Sequence, residues 1–348
     1  MKIKYENFSD ELKELLAVHE MSQKELALRL GLSLKHMNSV LNNDIKEITV
    51  KVLRGIEDAF HLKAGALSET YYSYTDLMKT RELGENVNLY LKEYGVNFLI
   101  NNPQLSYPFD IYIREDMTNY EKLMCLKRFY GVSNLEDYKT YLDNHILAEL
   151  KKYREKPNTY VWIRFCELGI DHQQSVGTFR SNQHQTTFKK SLNIMEMNIP
   201  FIEKIQKLKK FLLSKGIVLV TKSYIEGSMI NGITLKKGAK RFIFLSDMSK
   251  LESRIFFTLL HEIAHCYFPK KTEDEIDAYV VHEHNKWMKT SNKNNYLAIY
   301  DAIEVIKNIQ IQTKRNPGAD VSILWDRIYA KYPNVIFDPE QEKEVINE

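Results

Sequence analysis

Apolar residues recur at helical spacing from residue 9 to about 68, at Leu12, Leu15, Leu16, Leu26, Leu30, Leu32, Val40, Leu41, Val52, Leu53 and Ile56, with short polar breaks between them. That period gives each helix one apolar stripe, so the stretch predicts a compact bundle of short helices. From about 69 to 195 the helical texture continues, rich in lysine and tyrosine and poor in glycine. Asn101-Asn102-Pro103 and Tyr107-Pro108 interrupt it, and Gly131 closes a helix ending at Tyr130. The polar run from Asp171 to Gln185 predicts a loop or exposed turn.

The pattern changes from about 196. A lysine-rich amphipathic helix, Ile202 to Ser214, leads into the β-branched run Gly216 to Val220. Ile230-Asn231-Gly232-Ile233-Thr234 and Arg241-Phe242-Ile243-Phe244-Leu245 follow as further strands, and the Asn-Gly and Lys-Lys-Gly turns predict antiparallel pairing. Helix signals return from Ser249. The expected fold is therefore multidomain: an all-α bundle over 1–68, a helical middle region over 69–195, and an α+β domain over 196–348 with a small antiparallel-rich sheet.

Composition narrows the partners. The 348 residues carry a net charge of +3 from 49 basic and 46 acidic side chains, which excludes a wholesale nucleic-acid coat and makes any DNA contact local. Three cysteines, Cys125, Cys166 and Cys266, are odd in number and far apart, so no disulfide framework is expected. With no apolar leader and no membrane-length apolar run, the expectation is a cytoplasmic protein without a membrane partner.

Ser22 followed by Glu25 forms a capping-box pattern at the head of one short helix, and Gly31 suits its left-handed end. Ser33 then caps a second helix, Leu34 to Leu41, with Met37, Val40 and Leu41 on its apolar face. Two short helices across a Gly-Leu-Ser turn make the unit that sets a recognition helix in the major groove. Its exposed positions are Lys35, His36, Asn38 and Ser39, and Gln23 is placed to touch a phosphate. Glu25, Asp44, Glu47, Glu57 and Asp58 keep the module only modestly basic.

The second chemical signal is His261-Glu262-Ile263-Ala264-His265. Histidines four residues apart share one helix face and can share one metal ion, with Glu262 beside them as a general base toward metal-activated water. The apolar run Phe256 to Leu260 buries this helix and keeps the site dry. Thr272 is a good N-cap for a following helix, on which Glu273 and Asp277 lie four apart. Glu273 can supply a third ligand while Asp277 orients a histidine; Glu275 is the alternative ligand. His282 and His284 read as surface histidines, Cys266 as a buried thiol, and the Tyr71-Tyr72-Ser73-Tyr74 run as packing. The middle region carries no chemical signal and reads as a spacer or docking surface.

Ser22-Gln23-Lys24-Glu25-Leu26-Ala27, Gly31-Leu32-Ser33 and Asn42-Asn43 resemble the Xre/Cro-type helix-turn-helix in its antitoxin-like form, over about 60 residues. That resemblance implies operator binding as a homodimer through the N-terminal region. From about Gly216 to Val281 the chain resembles the ImmA/IrrE metallopeptidases, in the strand Gly216 to Val220, the Ile230-Asn231-Gly232 turn, the Phe-Phe-Thr-Leu-Leu-His-Glu run and Glu273-x-Glu275-x-Asp277-x-Tyr279. Ile276 and Tyr279 stand where that family carries Ala and Phe, and His282-Glu283-His284-Asn285 replaces its Leu-Leu-Met-Pro. The resemblance implies a zincin-like domain in which His261, His265 and Glu273 hold one zinc ion and Glu262 is the base. The function it implies is a DNA-bound regulator with a zinc metallo-endopeptidase that cleaves a partner protein, a repressor or an antitoxin. The alternative is a non-catalytic antitoxin or autorepressor whose peptidase-like domain grips a toxin or senses zinc.

Overall fold

The computed structural model describes residues 5, 7–42, 44, 47–147, 156–171, 175–291, 298–332 and 334–337. The chain is mostly helical and falls into two compact units, one of residues 1–92 with 112–126, the other of 93–111 with 127–348.

In the first unit the helices are α1 (Phe8–Val18), α2 (Gln23–Leu30), α3 (Leu34–Leu41), α4 (Val50–Ala59), α5 (Ala66–Leu83) and α6 (Val87–Glu93), whose last residue lies past the division. The stripes read from the sequence close on one core: Leu12, Leu16, Leu26, Val40, Leu41, Leu53 and Ile56 are buried together with Phe8, Met37 and Phe60. The break expected after residue 68 falls inside α5, because Leu67 and Tyr74 are buried in that same core and Tyr71 packs against it. Glu57, counted among the acids that offset the module's basic charge, is buried and accepts the N–H groups of Gly65, Leu67 and Ser68, so it caps the start of α5.

The second unit adds α7 (Val96–Asn101), α8 (Pro103–Ser106), most of the middle region's remaining helices and the sheet. α9 (Asn119–Tyr130) begins in the first unit and ends in the second, so the residues expected to form a separate middle region are shared between the two. α10 (Leu135–His145), α11 (Pro157–Leu168), α12 (His184–Met195) and α13 (Phe201–Ser214) follow. The expected loop over 171–185 ends in a short turn before α12, and its residues 172–174 lie outside the described part.

The strands are β1 (Ile217–Lys222), β2 (Gly232–Lys237) and β3 (Lys240–Ser246), in the order β1-β3-β2. β2 and β3 are antiparallel, with Lys237 opposite Lys240 across a turn whose Gly238 has φ +59°. β1 pairs with β3 in parallel, which corrects the expectation of an antiparallel-rich sheet. Asn231-Gly232 is not a turn between β1 and β2: Gly232 opens β2, and the Asn231 carbonyl accepts the Ser246 N–H at 2.8 Å as the first rung against β3. β3 therefore sits between the other two, buried along Phe242 to Ser246.

α14 (Glu252–Tyr267) packs on β2 and β3, and α15 (Glu273–Ser291), α16 (Ala298–Arg315) and α17 (Ser322–Lys331) complete the unit. Ile255, Phe256, Leu259, Leu260 and Ile263 of α14 are buried in a core shared with α12, α13 and the sheet. That burial fixes which way the rest of α14 points. Among the described residues no helix is long and apolar enough to cross a membrane.

Candidate functional site

α14 and α15 bring the predicted metal ligands to one point. His261 Nε2 lies 2.9 Å from His265 Nε2, and the Glu273 carboxylate reaches them at 3.0 Å and 3.4 Å through its two oxygens. These three side chains are the group among the described residues whose ligand atoms lie close enough to hold one ion, all within 4.8 Å of one another. His265 is 1% exposed and Glu273 47%, so the cluster is closed on the α14 side and open beside α15.

On its other ring nitrogen, His261 Nδ1 donates to Asp277 Oδ1 at 2.7 Å. With Nδ1 engaged there, Nε2 is the nitrogen turned toward His265 and Glu273, the orientation a metal ligand needs. His265 Nδ1, by contrast, is buried with no hydrogen-bond partner among the described residues, so only one of the two imidazoles has its rotation fixed this way.

Glu275 does not join the cluster. Its carboxylate accepts the Thr272 N–H at 2.9 Å while its own N–H donates to Thr272 Oγ1, a closed capping box at the head of α15. The Thr272 cap thus engages Glu275, whereas Glu273 faces the histidines.

Glu262 is 4% exposed and points under α14 to β2, where the Thr234 hydroxyl donates to its Oε2 at 2.7 Å. Space for that carboxylate comes from Gly232: a Cβ there would lie 2.9 Å from Glu262 Cγ and 2.8 Å from Thr258 Cγ2. Thr234 and Gly232 were missed as site residues. Their signal was the strand period of two, which puts positions 232 and 234 on one face of β2.

The electrostatics follow from three carboxylates around two imidazoles, with Glu262 and His265 buried and Glu273 half-exposed. Burial works against a charged His261, but Asp277, Glu273 and Glu262 outweigh it and push its pKa up to about 10. The same hydrogen bonds from His261 and His265 hold Glu273 well below the usual carboxylate range, although partial burial opposes this. Glu262 is raised by burial, which the nearby histidines and Thr234 only partly counter. A positive charge is thus favoured between the imidazoles, and the donor set of two nitrogens and a carboxylate is one that zinc accepts.

Cys266 is buried and its thiol pushed far up by burial, so it remains a core thiol. His282 is exposed as expected. His284 is not a surface histidine: it is fully buried beside Trp287 and Tyr300, because it falls on the inner face of α15 with Val280 and Trp287.

In the first unit the helix-turn-helix forms as read. Ser22 accepts the Glu25 N–H, Gly31 ends α2 at φ +67°, and Ser33 accepts the His36 N–H. The reciprocal half of the first capping box is replaced, since the Glu25 carboxylate pairs with Arg29 at 2.7 Å. Gln23, Lys35, His36 and Asn38 are exposed, whereas Ser39 is half-buried and its hydroxyl donates back to the Lys35 carbonyl. Asn42 ends α3, and Asn43 lies outside the described residues.

No protein-family model, no curated protein and no solved structure matches this chain.

Proposed function

We propose that this chain is a DNA-binding regulator whose second unit is a zinc-dependent endopeptidase acting on a partner protein, a repressor or an antitoxin. The observation that carries the reading is the convergence of His261 and His265 of α14 with Glu273 of α15 on one point, Glu262 being next to His261 on α14. His261, His265 and Glu273 would hold the ion. Zinc bound there supplies Lewis acidity toward a peptide carbonyl and toward water. Glu262, its pKa raised by burial, would take a proton from the attacking water and return it to the leaving amine. Thr234 fixes the carboxylate by donating to one oxygen, leaving the other to take the proton. Asp277 keeps the His261 ring from turning. The exposed Lys35, His36 and Asn38 of α3 supply the DNA-reading surface.

A second reading rests on the depth of Glu262: at 4% exposure and tied to Thr234, it suits a domain that binds zinc and grips a toxin without cleaving it. One experiment separates the two. The purified protein is assayed for bound metal and incubated with the proteins encoded beside its gene, and fragments are sought by mass spectrometry. Cleavage by the wild type that is lost in Glu262→Gln, with zinc retained, supports the peptidase. Cleavage that survives Glu262→Gln ends it, and a stable complex without fragments supports the gripping domain.

A further inference from the structure

A cavity of about 180 Å³ opens at the C-terminal end of β1, and none of the metal-capable residues lines it. Its apolar walls are Leu105, Phe109, Trp162, Phe165, Ile225 and Phe337. The polar groups around it are already used within the fold. Trp162 Nε1 donates to the Ser223 carbonyl at 3.1 Å, and the Ser223 hydroxyl donates to the Phe337 carbonyl at 2.6 Å. The buried Asp247 carboxylate accepts the N–H groups of Tyr224 at 2.6 Å and Phe337 at 2.8 Å, which pins two sides of the opening together. The walls are thus held in place, and their inner surface offers apolar contact.

Lys222 is the exception. It lines the cavity from the last position of β1, is half-buried, and its stem runs past Gly169 at the end of α11. A lysine whose ammonium stands beside an apolar wall can hold an anion brought in by an apolar body. An apolar cavity of roughly 150 Å³ accepts a benzene ring, so this one has room for a ring with a short substituent.

We propose that this cavity is a binding site for a small carboxylic acid with one compact apolar body, the body seated against Trp162 and Phe165 and the carboxylate on Lys222. The proposal does not depend on the metal cluster or on peptide cleavage.

The test is calorimetric titration of the full chain with 3-phenylpropionate and with its neutral counterpart, 3-phenyl-1-propanol, at neutral pH. The acid should bind saturably and about tenfold more tightly than the alcohol, the advantage of one charge-assisted contact. Lys222→Met keeps the apolar stem at a partly exposed site and should erase that preference while leaving the alcohol's affinity unchanged. Ile225→Trp fills the cavity and should abolish binding of both. Absence of saturable binding by the acid overturns the proposal, as does equal binding of acid and alcohol, or an acid affinity that survives Lys222→Met.

Discussion

Asp277 holds His261 Nδ1 at 2.7 Å, one helical turn along α15 from Glu273, so a single helix supplies both a candidate ligand and the group that aims another. The spacing Glu273-x-x-x-Asp277 has this consequence because residues four apart share a helix face. Removing Asp277 frees the imidazole to rotate. Asp277→Ala should therefore weaken zinc binding by about 10–100-fold, measured by competition with a chromophoric chelator. Glu275→Ala serves as the control and should leave zinc affinity unchanged, since its carboxylate is engaged at Thr272. Equal affinities for the wild type and Asp277→Ala would show that His261 is oriented by something else.

The bond between Thr234 and Glu262 gives a second expectation. Both side chains are buried, and Thr234→Val keeps the shape while removing the donor. Leaving the buried carboxylate short of one partner should cost about 1–3 kcal/mol of stability, read by urea denaturation. Thr234→Ser should cost much less. The double variant Thr234→Val with Glu262→Leu should be less destabilised than the sum of its parts, because the second change removes the acceptor that the first orphaned. Additive losses would mean that the contact contributes nothing.

The histidines and Glu273 were legible in the sequence because a helix converts spacing directly into shared direction, and α14 and α15 are helices of 16 and 19 residues. Thr272 likewise announced where α15 begins. The contribution of β2 was not legible. Nothing local says that Thr234 lies under Glu262, since that depends on β3 inserting between β1 and β2, a pairing set by packing beyond any turn signal. Asn231-Gly232 misled for the same reason: the dipeptide favours a tight turn, but Gly232 is needed where β2 passes against α14. In the first unit, the apolar stripe picked out residues that share one core but not where the unit ends, and the burial of Glu57 became visible only once the start of α5 was in place above it.

His284 makes acid stability a test of α15. Burial lowers its pKa from 6.5 to about 4; Lys307 acts in the same direction, and Asn285 and Glu304 act against it. The unfolded chain takes up this proton near pH 6.5 and the folded chain only near 4, so the contribution is fully present above pH 6.5 and is lost as pH falls toward 4. The loss from this one group is on the order of 3 kcal/mol. His284→Leu should remove that part of the slope, so the gap between variant and wild type should widen steadily between pH 6.5 and 4 in denaturation at a series of pH values. Parallel curves would place His284 in contact with water.

The DNA-reading proposal separates two kinds of contact on α3. Lys35 and Asn38 are both exposed, but an ammonium meets phosphates while an amide can pair with a base edge. With DNA from upstream of the protein's own gene, Asn38→Ala should lower affinity by about 1–3 kcal/mol and relax preference for one base position. Lys35→Ala should weaken all sequences alike and reduce the dependence of log affinity on log salt by about one. Neither change touches the core residues Met37, Val40 and Leu41, so thermal unfolding should be unaltered in both. Fluorescence anisotropy across a salt series reads both quantities in one experiment. If the two variants behave alike in salt slope and base preference, α3 is not lying in a groove, and the exposed face of the helix serves a protein partner.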